Sequence, residues 1–168
     1  LPTGESIGSY ASARHIIGEE SLRTLAVWKF GWHSTPFKQA MDGFKGIFRR
    51  VSERNDGLFC CFRCTVGFLR GASVLRHSRL AGVRPDEMDD VLRMSLHRVE
   101  KERTGDGKWR GFPYYYMLLA LSDLDMPLAK AELKYASEMA ERLIVRNKGD
   151  DRGARFRRLG LEAALNAA

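Results

Sequence analysis

Three cysteines, Cys60, Cys61 and Cys64, fall within five positions of one another. Cysteine thiols, once ionised to thiolates, are soft metal ligands and nucleophiles. Cys60 and Cys64 stand one helical turn apart, so a zinc ion would need them together with nitrogen donors from elsewhere, for which His77 and His97 are the candidates. No second cysteine pair completes a four-ligand set. Cysteine is also a small buried hydrophobe, and packing is the leading expectation: no metal and no cofactor, with Cys60, Cys61 and Cys64 as the group that would hold a metal if one bound. Three crowded cysteines make a poor disulfide framework, which favours a reducing, cytoplasmic setting.

Trp109, Phe112, Tyr114, Tyr115 and Tyr116 form the densest aromatic cluster in the chain. Three consecutive tyrosines on a helix point around a wide arc, so at least one must leave the core face. That ring either carries its hydroxyl to water or, with its neighbours, lines a surface for an apolar or aromatic ligand.

The basic residues are the third group. Net charge is +7, and between Arg142 and Arg158 seven basic residues face only Asp150 and Asp151. Arg146, Lys148, Arg152, Arg155, Arg157 and Arg158 could neutralise phosphates, with Arg49, Arg50 and Arg54 adding to them if they face the same side. A solvated helix face explains the same run, and an acidic protein or an anionic lipid surface would use the same charge. Catalytic constellations are sparse. His97 and Glu100 sit three apart as a surface pair, and no Ser-His-Asp order, phosphate-binding loop or dinucleotide fingerprint is present.

The elements that must position these groups read as helices throughout. A chain of 168 residues, 44% hydrophobic and 29% charged, fits one globular domain over 1–168. Its longest apolar run, Tyr114–Leu121, is far short of the ~20 residues that span a bilayer. No secretory leader is visible at Leu1-Pro2-Thr3-Gly4-Glu5. Asp56-Gly57-Leu58-Phe59-Cys60-Cys61-Phe62 and Asp106-Gly107-Lys108-Trp109-Arg110-Gly111-Phe112 share the pattern Asp-Gly-x-aromatic-x-x-Phe at an offset of about fifty residues. Each copy reads as a turn, in which glycine accepts positive φ, opening an apolar helix.

Between the turns lie amphipathic helices entered through proline. Pro36 precedes Phe37, Met41, Phe44, Phe48 and Val51, and Pro85 precedes Met88, Val91, Leu92, Leu96 and Val99. Pro127 opens a third, with Leu133, Ala136, Met139, Ala140 and Leu143. Residues Glu20 to Phe30 form an earlier half-unit and Arg155 to Leu165 a closing helix. The spacing predicts helix starts near Pro36, Gly57, Pro85, Gly111 and Pro127, in an all-α fold of stacked helix-pair repeats of about fifty residues.

The stretch from Asp106 to Leu121 resembles the helix-opening segment of repeats in the prenyltransferase and terpene-cyclase (squalene-cyclase-like) α/α toroid superfamily. The resemblance implies helix pairs wound into a barrel around an aromatic-lined cavity; the few pairs available here imply an open arc. It also implies an isoprenoid-type substrate. The superfamily's zinc-binding Asp-x-Cys is absent, since Asp56 is followed by Gly57-Leu58 and Asp106 by Gly107-Lys108. The matching aromatic helix Tyr114–Leu121 lacks the superfamily's histidine, and the nearest string to its Asp-x-Asp-Asp is Glu87-Met88-Asp89-Asp90. Those acids follow Pro85 in a helix's first turn, where the helix dipole favours them. The expectation is therefore a non-catalytic helical-repeat module that binds a protein, a polyanion or an apolar ligand. An isoprenoid-acting enzyme and a nucleic-acid binder using the basic end are the alternatives, and a homo-oligomer is compatible with either.

Overall fold

Proline sets three of the helix starts. Pro36, Pro85 and Pro127 each fall in the first turn of a helix, where the missing N–H would have no intrahelical acceptor in any case. The computed structural model describes residues 1–6, 10–54, 72–74, 76–77 and 85–167. The elements are α1 (Tyr10–Val27), α2 (Thr35–Arg54), α3 (Pro85–Lys101), α4 (Tyr114–Ser122), α5 (Pro127–Ile144) and α6 (Arg152–Leu165). Ala72, Ser73, Val74, Arg76 and His77 are also helical. The fold is all-α: no strand occurs among the described residues, and the extended pairing among them is an isolated antiparallel bridge between Arg103 and Trp109. The Asp56-Gly57 turn, Phe59, Phe62 and the three cysteines lie outside the described residues.

One expected start is displaced. Gly111 has φ of 80° and Pro113 is extended at φ −67°, ψ 117°, so the helix expected at Gly111 begins at Tyr114. The Asp-Gly turn before it matches its chemistry: Gly107 has φ of 84°, and a Cβ there would stand 2.9 Å from that of Met139. Glycine is required at this position for conformation and for space.

α4 is the centre of the core. Tyr114, Tyr116, Met117, Leu118, Leu119, Ala120 and Leu121 are all buried, as expected of a helix apolar on every side. Its first amides are capped from far away in sequence. The Glu5 carboxylate accepts from Tyr115 N–H at 3.1 Å and from Tyr116 N–H at 2.9 Å, which places negative charge at the positive end of the helix.

α4, α5 and α6 pack against one another, α3 packs on α2 and α5, and α2 meets α1. α5 turns Ala129, Leu133, Ala136 and Ala140 inward, and α6 turns Ala154, Gly160, Leu161 and Ala164 inward. At Gly160, α6 comes so close to α4 that a Cβ would lie 3.0 Å from Leu118 Cβ. From Ile16 on α1 to Ala164 on α6 the buried apolar side chains form one contiguous cluster.

Candidate functional site: a cleft with an ionic floor

α1 departs from this apolar pattern. Its inward positions, at three- and four-residue steps, include Ile16, Glu19, Glu20, Arg23 and Ala26. Ile16, Glu19 and Ala26 are buried, while Glu20 and Arg23 are half-buried. Burying a carboxylate is costly unless it is paired and hydrogen-bonded. The partners come from Ser73, Arg76 and His77 and from α4. Ser73 Oγ donates to Glu19 Oε2. Arg76 Nε donates to Glu20 Oε1 at 2.9 Å, and its Nη1 donates to Asp123 Oδ2 at 3.1 Å. Arg23 reaches the same Asp123, with Nη2 donating to Oδ1 at 3.2 Å and Nη1 3.1 Å from Oδ2. Tyr116 Oη donates to Glu20 Oε1 at 2.9 Å, and the Arg76 guanidinium lies 5.7 Å from the centre of the Tyr116 ring.

His77 is buried at the back of this network, its ring edge-on to Phe44. Its Nδ1 is 2.6 Å from the Ser73 carbonyl oxygen, which only accepts, so Nδ1 carries a proton. Its Nε2 lies 3.5 Å from Glu20 Oε1, and Nδ1 also lies 3.5 Å from Glu19 Oε2. With both ring nitrogens facing acceptors, the geometry favours imidazolium. Burial alone would depress the His77 pKa, but the hydrogen bonds and charges of Glu19 and Glu20 outweigh it and raise the pKa above its ordinary value. Glu20 mirrors this: burial raises its pKa, yet His77 and Arg76, with the Tyr116 hydroxyl, hold it at about 2. The Tyr116 phenol is pushed upward by burial and by the Glu20 charge, and so remains a donor.

Above the network opens a cleft of about 1040 Å³ between α1, α4 and α6. Ile17, Val27 and Trp28 wall one side, Leu119 stands on α4, and Phe156 and Leu159 wall the α6 side. Glu20, Arg23, Arg76 and Asp123 supply the polar groups of its floor. Two cations there meet two carboxylates, so the floor is close to neutral. An ionised carboxylate has about four acceptor positions; Asp123, already bonded to two arginines, can therefore accept from one more donor.

The aromatic cluster expected to bind a ligand packs elsewhere. Trp109, Phe112, Tyr114 and Tyr116 are buried. Trp109 stacks on Tyr114 at 6.0 Å and donates its indole N–H to Glu132 at 2.8 Å. Tyr115, half-buried, lies beneath the Arg157 guanidinium at 5.8 Å. α4 lines the cleft through Leu119 and Ser122 instead, with Asp123 at its C-cap.

The basic residues divide. Arg157 is tied into the fold, donating to Thr3 O at 2.7 Å and Asn147 Oδ1 at 3.2 Å. Arg155 donates to Asp150 O and Arg158 to Gly149 O. Arg146, Lys148, Arg152 and Arg155 are exposed, and Arg152 also borders the cleft. The side chains of Arg49, Arg50 and Arg54 lie outside the described residues. Asp89 pairs with Arg93 at 3.9 Å on the surface of α3, and His97 meets Glu100 at 3.3 Å, also exposed. Among the described residues no group of three or more His, Cys, Asp or Glu side chains is placed to hold a metal ion.

Sequence reasoning missed Glu19, Glu20, Arg23, Ser73, Arg76 and Asp123. The available signal was charge at helical spacing, Glu19 and Glu20 with Arg23 one turn on, in a helix with little apolar periodicity. No family model, curated protein or solved structure matches the chain, so the chemistry of this cleft is the guide to function.

Proposed function

We propose that the chain is a non-catalytic binding module that holds an apolar ligand in the cleft between α1, α4 and α6, the ligand's neutral polar end meeting Asp123 and Glu20. One observation carries this: apolar walls converge on a floor whose charges are already paired. Pockets of roughly 300 to 1,000 Å³ with apolar walls and a few convergent polar groups are the usual form of a small-molecule site. A carboxylate end would have to break the Arg23–Asp123–Arg76 pairing and an ammonium end would bring an unbalanced charge into a floor already neutral, whereas a hydroxyl or amide can donate to a remaining lone pair. The reading includes an open arc of helix pairs, supported by the proline entries of α2, α3 and α5.

The test is native mass spectrometry of the protein with a long-chain alcohol, the matching carboxylate and the matching alkylammonium. The alcohol should bind in preference to both charged forms, and Leu159→Asp, at a side chain 54% exposed in the wall, should abolish binding without unfolding. Equal binding by Leu159→Asp would remove the cleft as the site. An enzyme acting on an isoprenoid-type alcohol would use the same walls, and a change in the mass of the bound ligand would identify it.

A second reading, polyanion or nucleic-acid binding, is favoured by the exposed Arg146, Lys148, Arg152 and Arg155 around the start of α6. It requires affinity for a short duplex to fall steeply with salt.

A further inference from the structure

The turn that follows α1 displays rings that globular chains ordinarily bury. Trp28 is 79% exposed, Phe30 71% and Trp32 45%. The backbone beneath them is organised. Phe30 N–H bonds to Leu25 O at 2.9 Å and Lys29 N–H to Ala26 O at 3.2 Å, the two bonds of a helix-ending Schellman motif. Lys29 takes the left-handed position, with φ of 54°, where glycine is usual. The Trp32 indole N–H donates to Ala26 O at 3.2 Å, and Ser34 N–H bonds to Gly31 O at 2.8 Å. The rings are therefore held out by a built turn, and its left-handed residue is a cation placed between two of them.

Charge identifies what covers this turn. No carboxylate occurs from residue 21 through residue 41, while Lys29 stands among the aromatics and Lys38 follows them. Lys29 lies 5.8 Å from the centre of the Trp32 ring. Tryptophan and phenylalanine beside lysine suit the boundary between lipid headgroups and acyl chains, where rings enter the apolar layer and ammonium groups meet lipid phosphates. An anionic leaflet adds attraction that a neutral one lacks. A bilayer also adapts to rings standing on a turn, whereas a protein partner would need a matching socket for each.

We propose that Trp28, Lys29, Phe30 and Trp32 form a docking turn for an anionic membrane surface. This is independent of the cleft, although Trp28 also borders the cleft and sets its mouth beside the docked surface.

The experiment is co-sedimentation of the purified chain with vesicles of phosphatidylcholine alone or mixed with phosphatidylserine, at low and high salt. Wild type should partition onto the anionic vesicles, weakly onto neutral ones, and less as salt rises. Phe30→Ser, at an exposed ring outside the cleft, should lower partitioning about tenfold. Lys29→Gln, removing one charge, should lower it about fivefold. Leu159→Asn, a polar change without charge in the wall of the proposed ligand cleft, should bind vesicles as wild type does, so failure of one site is distinguishable from failure of the other. Circular dichroism should show the same helix content in all variants. Equal partitioning of wild type and Phe30→Ser, or equal binding to neutral and anionic vesicles, would overturn the proposal. So would a wild type that self-associates through this turn in sedimentation velocity and leaves vesicles untouched.

Discussion

Glu20→Gln keeps the size and shape of the side chain and deletes the charge that joins three partners. In the wild type one oxygen, Oε1, accepts from Arg76 at 2.9 Å and from Tyr116 at 2.9 Å, and faces His77 at 3.5 Å. Removing one member of a buried ionic group costs roughly 3 to 5 kcal/mol. Two features reduce that figure: the Glu20 side chain is 22% exposed, and Arg76 keeps Asp123 at 3.1 Å. The expected loss is therefore about 2 to 3 kcal/mol, measured by urea unfolding followed by far-ultraviolet circular dichroism. The pH dependence gives a sharper check. His77 has a raised folded pKa, so its contribution is complete below its unfolded value of about 6.5 and disappears as pH rises through the folded value. Glu20 has a lowered folded pKa, so its contribution is complete above its unfolded value of about 4.3 and disappears as pH falls toward about 2. The cost of Glu20→Gln should thus be greatest between about pH 4.3 and 6.5 and shrink on either side. A loss under about 0.5 kcal/mol near pH 6, or one that stays constant as pH rises, would refute an ionised Glu20–His77 pair.

Three further outcomes are expected. Phe112→Ala, at a ring 8% exposed in the core, should lose about 3 to 5 kcal/mol in the same unfolding assay if the site does not collapse. Gly160→Ala should lose about 1 to 3 kcal/mol even though alanine favours helix, because the new Cβ would stand 3.0 Å from Leu118 Cβ and 3.3 Å from Tyr115 O; an unchanged midpoint would mean that α4 and α6 separate at little cost. Arg155→Ala combined with Arg158→Ala should leave the fold intact and flatten the salt dependence of binding to heparin or a short duplex. Titration curves identical to wild type would remove the basic end from the candidate sites.

The helices could be read from the sequence wherever apolar spacing or proline marked them. α3 presents Val91, Leu92, Leu96 and Val99 to the core, each 4% exposed or less, as its three- and four-residue spacing requires. α4 was visible as an unbroken apolar run. Gly111 misled because a glycine with positive φ followed by Pro113 extends the loop by three residues before the first helical hydrogen bond. Only the second half of α1 is legible, because its inward face mixes Ile16 and Ala26 with Glu19, Glu20 and Arg23, and apolar periodicity does not register charges that become buried through pairing. For the same reason the candidate site was largely illegible: Arg76 and Asp123 are 47 positions apart, and spacing along the chain gives no sign that they meet. The aromatic cluster stands out by its density, but Trp109 and Tyr114 use that density to pack on each other.

The helices around the cleft are joined in two ways, apolar and ionic, with different consequences for it. α4, α5 and α6 are joined by apolar and small residues, and burial of this kind changes little with protonation. α1 is joined through Glu19, Glu20 and Arg23 to Ser73, Arg76, His77, Tyr116 and Asp123, so its attachment depends on the charge of His77. Raising pH through the folded His77 pKa removes the proton from a ring that faces Glu19 and Glu20 on α1, with Arg76 and Tyr116 at the same carboxylate. α1 should then open before the α4–α6 unit, taking with it the cleft wall formed by Ile17, Val27 and Trp28. Hydrogen exchange expressed as protection factors, which removes the intrinsic pH dependence of exchange, measures this directly. Amides of α1 from Glu19 to Ala26 should lose protection with rising pH while those of Met117 to Leu121 keep theirs. In Glu20→Gln the α1 amides should begin less protected and change less with pH. A parallel loss of protection in α1 and α4 would show that the helices unfold as one unit and that His77 does not control the cleft wall separately.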